Sequence, residues 1–211
     1  TAIESVSDTG GNREILQLAS QFLYDDNAMI RTSTVNSLES LPLNQRYQLL
    51  RPLIDDNVTS VRLAVANSLA GVPLDQIPET EAAALVTLFK EFQSVHRLHA
   101  DMPSVQMQLG LFYYNRGDMP ASEAAYREAL ALNAQLIPAY LNLADLLRTA
   151  GREDEARQQL LSALAVAPES GDTLHSLGLL ETRGGNSEKA LDYLGRAAAI
   201  EQNGTRHRFV Y

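Results

Sequence analysis

Apolar residues in the C-terminal half recur at three-and-four spacing, in stretches of about a dozen residues broken by short polar segments; this period predicts amphipathic helices. Sliding residues 103–204 by 34 positions aligns three blocks without a gap: 103–136, 137–170 and 171–204. Each block carries Leu followed by a small residue, at Leu109-Gly110, Leu143-Ala144 and Leu177-Gly178. A Gly comes seven residues later, at Gly117, Gly151 and Gly185. The second half of each block carries a small residue, a large one four later and Ala three later. These are Ser122, Tyr126 and Ala129; Ala156, Leu160 and Ala163; and Ala190, Leu194 and Ala197. No strand is predicted.

The spacing has a physical reading. Each block is a helical hairpin in which Gly supplies the left-handed residue that stops the first helix. The small residues lie where the two helices touch, because a bulky side chain there would push the axes apart. Asp118 ahead of Pro120 starts one second helix, and Ser187 is expected to cap another. Pro168 closes the middle block, since proline cannot continue a helix.

This pattern resembles the tetratricopeptide repeat family, most clearly at Tyr140, Leu143, Ala144, Gly151, Ala156, Leu160, Ala163 and Pro168. The first block departs from it at Gln106, where a large aromatic is usual, and at Ser122, where Ala is usual. The third departs at Glu181, in place of an aromatic, and at Gln202, in place of the closing Pro.

A different period organises the N-terminal half. The segment 25–42 realigns with 55–73 with one insertion, matching Arg31 to Arg62, Val35 to Ala66, Leu38 to Leu69 and Pro42 to Pro73. Each unit reads helix, Asp-Asp-Asn turn, helix, and the Asp and Asn oxygens can cap the second helix. The pattern is similar to short HEAT-like repeats, visible over about 12–73. Arg31 and Arg62 admit two readings, an anion site or a ladder onto Asp25, Asp26, Asp55 or Asp56; the resemblance favours the ladder. Two such units are few for a free-standing stack and need a neighbour. Residues 79–102 supply a junction helix with Ala84, Leu85, Leu88, Phe92 and Val95 on one face.

The fold expected from these periods and resemblances is all-α, a right-handed α-solenoid of helical hairpins. In chain order it has an N-terminal tail (1–11), HEAT-like repeats (12–78), the junction helix (79–102), three tetratricopeptide repeats (103–204) and the start of a fourth (205–211). The last stub ends in Phe209, Val210 and Tyr211, and is expected to pack on the third repeat or to pair with a second molecule. A chain that opens at Thr1 without Met reads as an excised or processed piece.

Composition then removes function classes. The 211 residues are 45% apolar and 20% charged, with net charge -9. The acidity is spread, nine acids against five bases in 1–78 and seventeen against twelve in 79–211, so no basic stripe offers nucleic-acid affinity. No apolar run approaches a membrane span. Cysteine is absent, which removes disulfides, thiolate metal sites and thiol nucleophiles together.

Chemistry-bearing candidates are few. His96 and His99 stand three apart, a metal-ligand spacing, but no third ligand is near in sequence, and two histidines at a helix C-terminus need no metal. Asn57-Val58-Thr59 and Asn203-Gly204-Thr205 match the glycosylation sequon and are read as turns. The Gly pairs at 10–11 and 184–185 lack the Lys-Ser/Thr that a phosphate loop needs. Catalytic residues, a metal and a cofactor are therefore not expected.

In the family resembled, the first helices of successive repeats line a concave face that holds partners. Carried over by position, that groove is Met107, Leu111, Tyr114 and Asn115 in the first repeat. It continues as Leu141, Asn142, Asp145 and Arg148 in the second, and His175, Leu179, Thr182 and Arg183 in the third. An apolar start and a polar end suit a peptide or an amphipathic helix. Some relatives clamp acidic chaperone tails with Lys, Arg and Asn. Here Asn142 matches one clamp position, while Met107, Leu111, Asp172 and Ser176 occupy the others, so the clamp is missing.

The expected role is a protein-interaction scaffold that binds a protein or peptide, and neither nucleic acid nor a membrane interior. An alternative comes from domain order, which resembles the C-terminal part of bacterial multihaem c-type cytochromes with tetratricopeptide repeats. In that reading the chain is the docking arm of a periplasmic redox protein, with Cys-x-x-Cys-His segments upstream of Thr1. The compartment follows the reading, periplasm for the cytochrome-like parent and cytoplasm otherwise.

Overall fold

A computed structural model describes Ala19 and residues 21–208, with the backbone alone for 201–208. The described residues form ten α-helices and no strand. The chain divides into two compact units, Thr1–Leu98 with Asn115–Gly117, and His99–Tyr114 with Asp118–Tyr211. The expected N-terminal tail, most of the first HEAT-like helix and the terminal Phe209, Val210 and Tyr211 lie outside the described residues.

The first unit contains α1 (Ala28–Ser37), α2 (Leu43–Leu50), α3 (Thr59–Ser68) and α4 (Glu79–Arg97), punctuated by single 3-10 turns. Asn27 starts α1 by accepting the Met29 N–H at 2.9 Å. Pro42 and Pro78 stand immediately before α2 and α4, where their fixed φ costs nothing. α4 has Glu79 and Glu81 in its first turn and His96 and Arg97 in its last, the arrangement the helix dipole favours. Its buried face is Leu85, Leu88, Phe89 and Phe92, with Ala84 and Val95 half-buried beside it. Val35, Leu38, Leu50, Val61, Val65, Leu69 and Leu85 form the fully buried centre of this unit.

The two arginines of the repeated turn form a ladder. Arg31 grips the Asp56 carboxylate through Nε and Nη2, both at 2.8 Å, and donates to the Asp25 carbonyl at 2.7 Å. Arg62 repeats the second bond on the Asp56 carbonyl at 2.6 Å, but its carboxylate partner is Glu91 on α4, at 2.5 and 2.9 Å. So α4 takes the place of a next repeat, with Glu91 in the role of Asp56; the sequence reading did not identify this acid. The turns match Asp25 with Asp56, each accepting the N–H two residues on at 2.8 Å, so the inserted residue falls before Asp56. Burial works against ionising Asp56, yet the Arg31 bonds and the Val58 N–H outweigh it and hold the carboxyl below its ordinary range. Glu91 is held low chiefly by its bonds from Arg62.

The second unit is three hairpins, α5 (Pro103–Asn115) with α6 (Met119–Leu132), α7 (Ile137–Thr149) with α8 (Glu153–Val166), and α9 (Gly171–Arg183) with α10 (Ser187–Arg208). First helices begin at 103, 137 and 171, and second helices at 119, 153 and 187, so the 34-residue period of the sequence is the period of the backbone. Gly117, Gly151 and Gly185 have φ of 76°, 74° and 75° and end the first helices. In each turn the N–H of the residue after this Gly returns to a carbonyl five residues back, at 2.8 to 2.9 Å, as in a Schellman closure.

The predicted small residues sit at the hairpin contacts. A Cβ at Gly178 would lie 2.5 Å from Leu194, and one at Gly110 would overlap the Tyr126 ring. Ala156, Ala163, Ala190 and Ala197 are buried. One apolar cluster runs through all three hairpins, from Tyr126 through Leu143, Leu147 and Leu160 to Leu177. Three of the four departures from the family pattern find a polar partner; the side chain of the fourth, Gln202, lies outside the described residues. Gln106 donates to the Ala100 carbonyl at 2.7 Å, and Ser122 to the Gly110 carbonyl at 2.7 Å. Buried Glu181 accepts from Arg157 at 2.8 Å and from Asn186 at 2.6 Å. Burial opposes its charge, and these two bonds outweigh that and lower its pKa.

Two local expectations need correction. Ser187 is the first residue of α10 rather than the residue capping it, and Asn186 holds the preceding position. Asn203-Gly204-Thr205 is not a turn, because α10 runs unbroken from Ser187 to Arg208. It therefore passes through the 204/205 junction at which the 34-residue period would close the third block. Nothing in 201–208 stops a helix strongly: the lone Gly204 costs about 1 kcal/mol in a helix interior, less than a proline would.

Candidate functional site

Two adjoining clefts open in the second unit on the side carrying α5, α7 and α9. The first, about 110 Å³, lies between α5 and α7 and is lined by Leu111, Tyr114, Tyr126, Asn142 and Asp145. The second, about 120 Å³, lies between α7 and α9. Its apolar floor is Leu141, Ala144, Ala156, Leu160, Leu179 and Leu180, and its polar rim is Asp145, Arg148, Ser176 and Arg183. Asp145 lines both, so the clefts follow one another along the array.

Period and packing create these hollows. First helices project a residue toward this side every three or four positions, which places Leu141, Asp145 and Arg148 in one row along α7. Ala144 and Ala156 are short, so the surface between the helices sinks at the places where the hairpin needs small side chains. Tyr126 reaches across from α6 and is buried under Gly110. Burial pushes its phenol up to about 12, so it stays protonated throughout the neutral range.

Eight of the twelve predicted groove residues line one cleft or the other: Leu111, Tyr114, Leu141, Asn142, Asp145, Arg148, Leu179 and Arg183. The remaining four do not. Met107 is half-buried against the apolar cluster. Asn115 is exposed at the end of α5 and is grouped with the first unit. His175 is exposed on α9, outside both clefts. Thr182 turns its hydroxyl back to the Gly178 carbonyl at 2.8 Å. Sequence reasoning missed the lining residues Tyr126, Ala144, Ala156, Leu160, Ser176 and Leu180. The signal was present, since most of these are the small and large positions of the repeat itself, but it was used only to place the hairpin contact.

The charges around the clefts are mostly spoken for. Arg148 pairs with Asp145 at 2.6 Å in a solvent-exposed bond worth little on its own. Outside the clefts, Arg152 holds Glu123 at 2.6 Å and Glu155 at 2.7 Å. The other sequence candidates stay apart from this face. His96 stacks on Phe92 with centroids 3.9 Å apart and its Nδ1 lies 2.8 Å from the Phe92 carbonyl. His99 is exposed beyond the end of α4. Among the described residues no group of three or more His, Cys, Asp or Glu side chains is placed to hold a metal ion, and no helix is long and apolar enough to cross a membrane.

This geometry defines an array of helical hairpins of tetratricopeptide type, and residues 101–169 match the family model described as tetratricopeptide repeat. Among solved structures, the chain is similar to MamA. One MamA crystal structure has 18% sequence identity and a TM-score of 0.54, covering 78% of this chain and 91% of that one. A second has 16% identity and a TM-score of 0.52, covering 92% and 96%. A third has 17% identity and a TM-score of 0.51, covering 83% and 99%. At such identities the likeness is one of fold. No curated protein matches the chain. Neither the HEAT-like resemblance of the first half nor the cytochrome-like domain order finds a counterpart in these comparisons.

Proposed function

We propose that the chain is a protein-interaction scaffold, and that its second unit holds a peptide or a partner helix along the α5, α7 and α9 side. One observation carries this reading: two adjoining clefts, each lined by apolar and polar side chains together, at successive repeats of one period. Small-molecule sites run to roughly 300–1,000 Å³. Clefts of about 110 and 120 Å³ are each the size for one side chain. A linear ligand that presents side chains at intervals uses such a row, and a compact metabolite does not. No group is placed for covalent chemistry in the clefts: their polar residues are an amide, a serine hydroxyl, phenols, two arginines and one ion-paired aspartate.

The test is selection of binders from a library of displayed short peptides panned against the full chain. Selected peptides should lose about tenfold or more in affinity with Leu111→Asp or Leu141→Asp, because a carboxylate placed on an apolar floor must be desolvated when the ligand seats. Leu161→Asp, on the exposed face of α8 outside both clefts, should leave affinity unchanged. Binders indifferent to Leu111→Asp and Leu141→Asp would place recognition elsewhere.

A further inference from the structure

The rim of the second cleft carries an arginine that no carboxylate neutralises, unlike most arginines of this unit. Arg127, Arg148, Arg152, Arg157 and Arg196 each have a carboxylate within 3.5 Å. Arg183 lines the cleft, is exposed, and has no ion-pair or hydrogen-bond partner among the described residues. Arg148 beside it is already neutralised by Asp145, so the lining as a whole carries one excess positive charge in a chain of net charge -9. A cation near the C-terminal end of α9 is favoured by the helix dipole, which accounts for a positive residue there but not for its place on the cleft rim. The floor beneath is aliphatic, so an aliphatic side chain seats on it without leaving a polar group unpaired.

We infer that the α7–α9 cleft selects a ligand segment in which an aliphatic residue is followed by an acidic one. The aliphatic side chain fills the floor at Leu141, Leu179 and Leu180, and Arg183 takes the neighbouring side-chain carboxylate. Guanidinium is suited to this because its planar fork meets a carboxylate through two parallel N–H bonds. The inference rests on the groove reading given above and specifies its partner.

Two capped dipeptides serve as probes, acetyl-Leu-Glu-amide and its neutral isostere acetyl-Leu-Gln-amide, titrated into the full chain. The methyl resonances of Leu141, Leu179 and Leu180 report the floor, and the Nε–Hε resonance of Arg183 reports the rim. Both probes should move the methyls. The Glu probe should bind roughly two- to fivefold tighter, the range of an exposed ion pair, and it alone should move Arg183. Arg183→Gln should equalise the two probes without weakening the neutral one, Arg183→Lys should keep part of the difference, and added salt should reduce it. Equal affinities with an unmoved Arg183 resonance would overturn the acidic selectivity and leave the groove standing. Methyls that respond to neither probe would overturn both.

Discussion

The two halves of this chain solve the same problem, stacking short helices, with different chemistry. In the first unit the joints between successive elements are arginine grips: Arg31 on Asp56, then Arg62 on Glu91. In the second, arginine grips also recur (Arg152 on Glu123, Arg157 on Glu181), but each hairpin adds a close approach, Gly110 under Tyr126, Ala144 with Leu160, and Gly178 under Leu194. Polar joints depend on direction and tolerate varied helix length, which suits a unit whose helices run from 8 to 19 residues. Packing joints require matched helices, and the second unit has first helices of 13 residues in all three hairpins. In the regular half equal spacing repeats the same hollow from one repeat to the next.

Overpacking is the severest test of this contrast. Ala156→Trp should cost roughly 1–3 kcal/mol or more, read as lost amide-exchange protection in α7 and α8 while α1 to α3 keep theirs. A neutral result would mean that Ala156 is not a packing joint. Next comes Asp56→Ala, which removes the Arg31 grip and the turn bond to Val58 together. The expected cost is about 1–2 kcal/mol, confined to the first unit, measured by the same exchange experiment. Acid should act on the same joint. Asp56 and Glu91 titrate below their ordinary values in the folded chain, so the stability they lend is complete above about pH 4 and is lost as pH falls through the lowered values. Protection in the first unit should therefore start to fall as pH drops below about 4, and Asp56→Ala should make that fall shallower there without changing the acid response of the second unit.

Gly151→Ala is a smaller perturbation. Nothing lies within 4 Å of the added methyl, so the cost is that of a left-handed backbone alone, about 1 kcal/mol. Gly151→Asn should cost less, and a thermal shift that ranks Asn worse than Ala would contradict the backbone explanation. Smallest is Leu111→Asp, expected to change stability by under about 0.5 kcal/mol, since Leu111 is 41% exposed, while abolishing most peptide binding.

Much of this was legible in the sequence, for reasons the residues make plain. The 34-residue period fixed the hairpins because Gly117, Gly151 and Gly185 each need a left-handed φ, and the small residues each face a large partner. The arginine ladder was legible because Arg31 and Arg62 recur with the same turn. Its second carboxylate was not, since Glu91 lies 29 residues from Arg62 and belongs to no repeat. Local capping misled twice. Ser187 has a capping side chain but sits one residue inside the helix, and Asn203-Gly204 has turn composition but lies within α10. In the groove, exposure along a first helix followed from period alone, whereas the cleft floors depend on which short side chains meet across three helices. Thr182 was lost to the site because its hydroxyl bonds its own helix.

The most direct measurement is site-specific photo-crosslinking in extract from the source cell, with the reactive group placed in turn at Leu111, Leu179 and Leu161. The first two positions line the clefts, and the third is an exposed leucine on α8 outside them. Discrete protein adducts from Leu111 and Leu179, suppressed by an excess of a selected peptide, with none from Leu161, are the predicted result. Adducts from Leu161 that equal or exceed those from the cleft positions would contradict it.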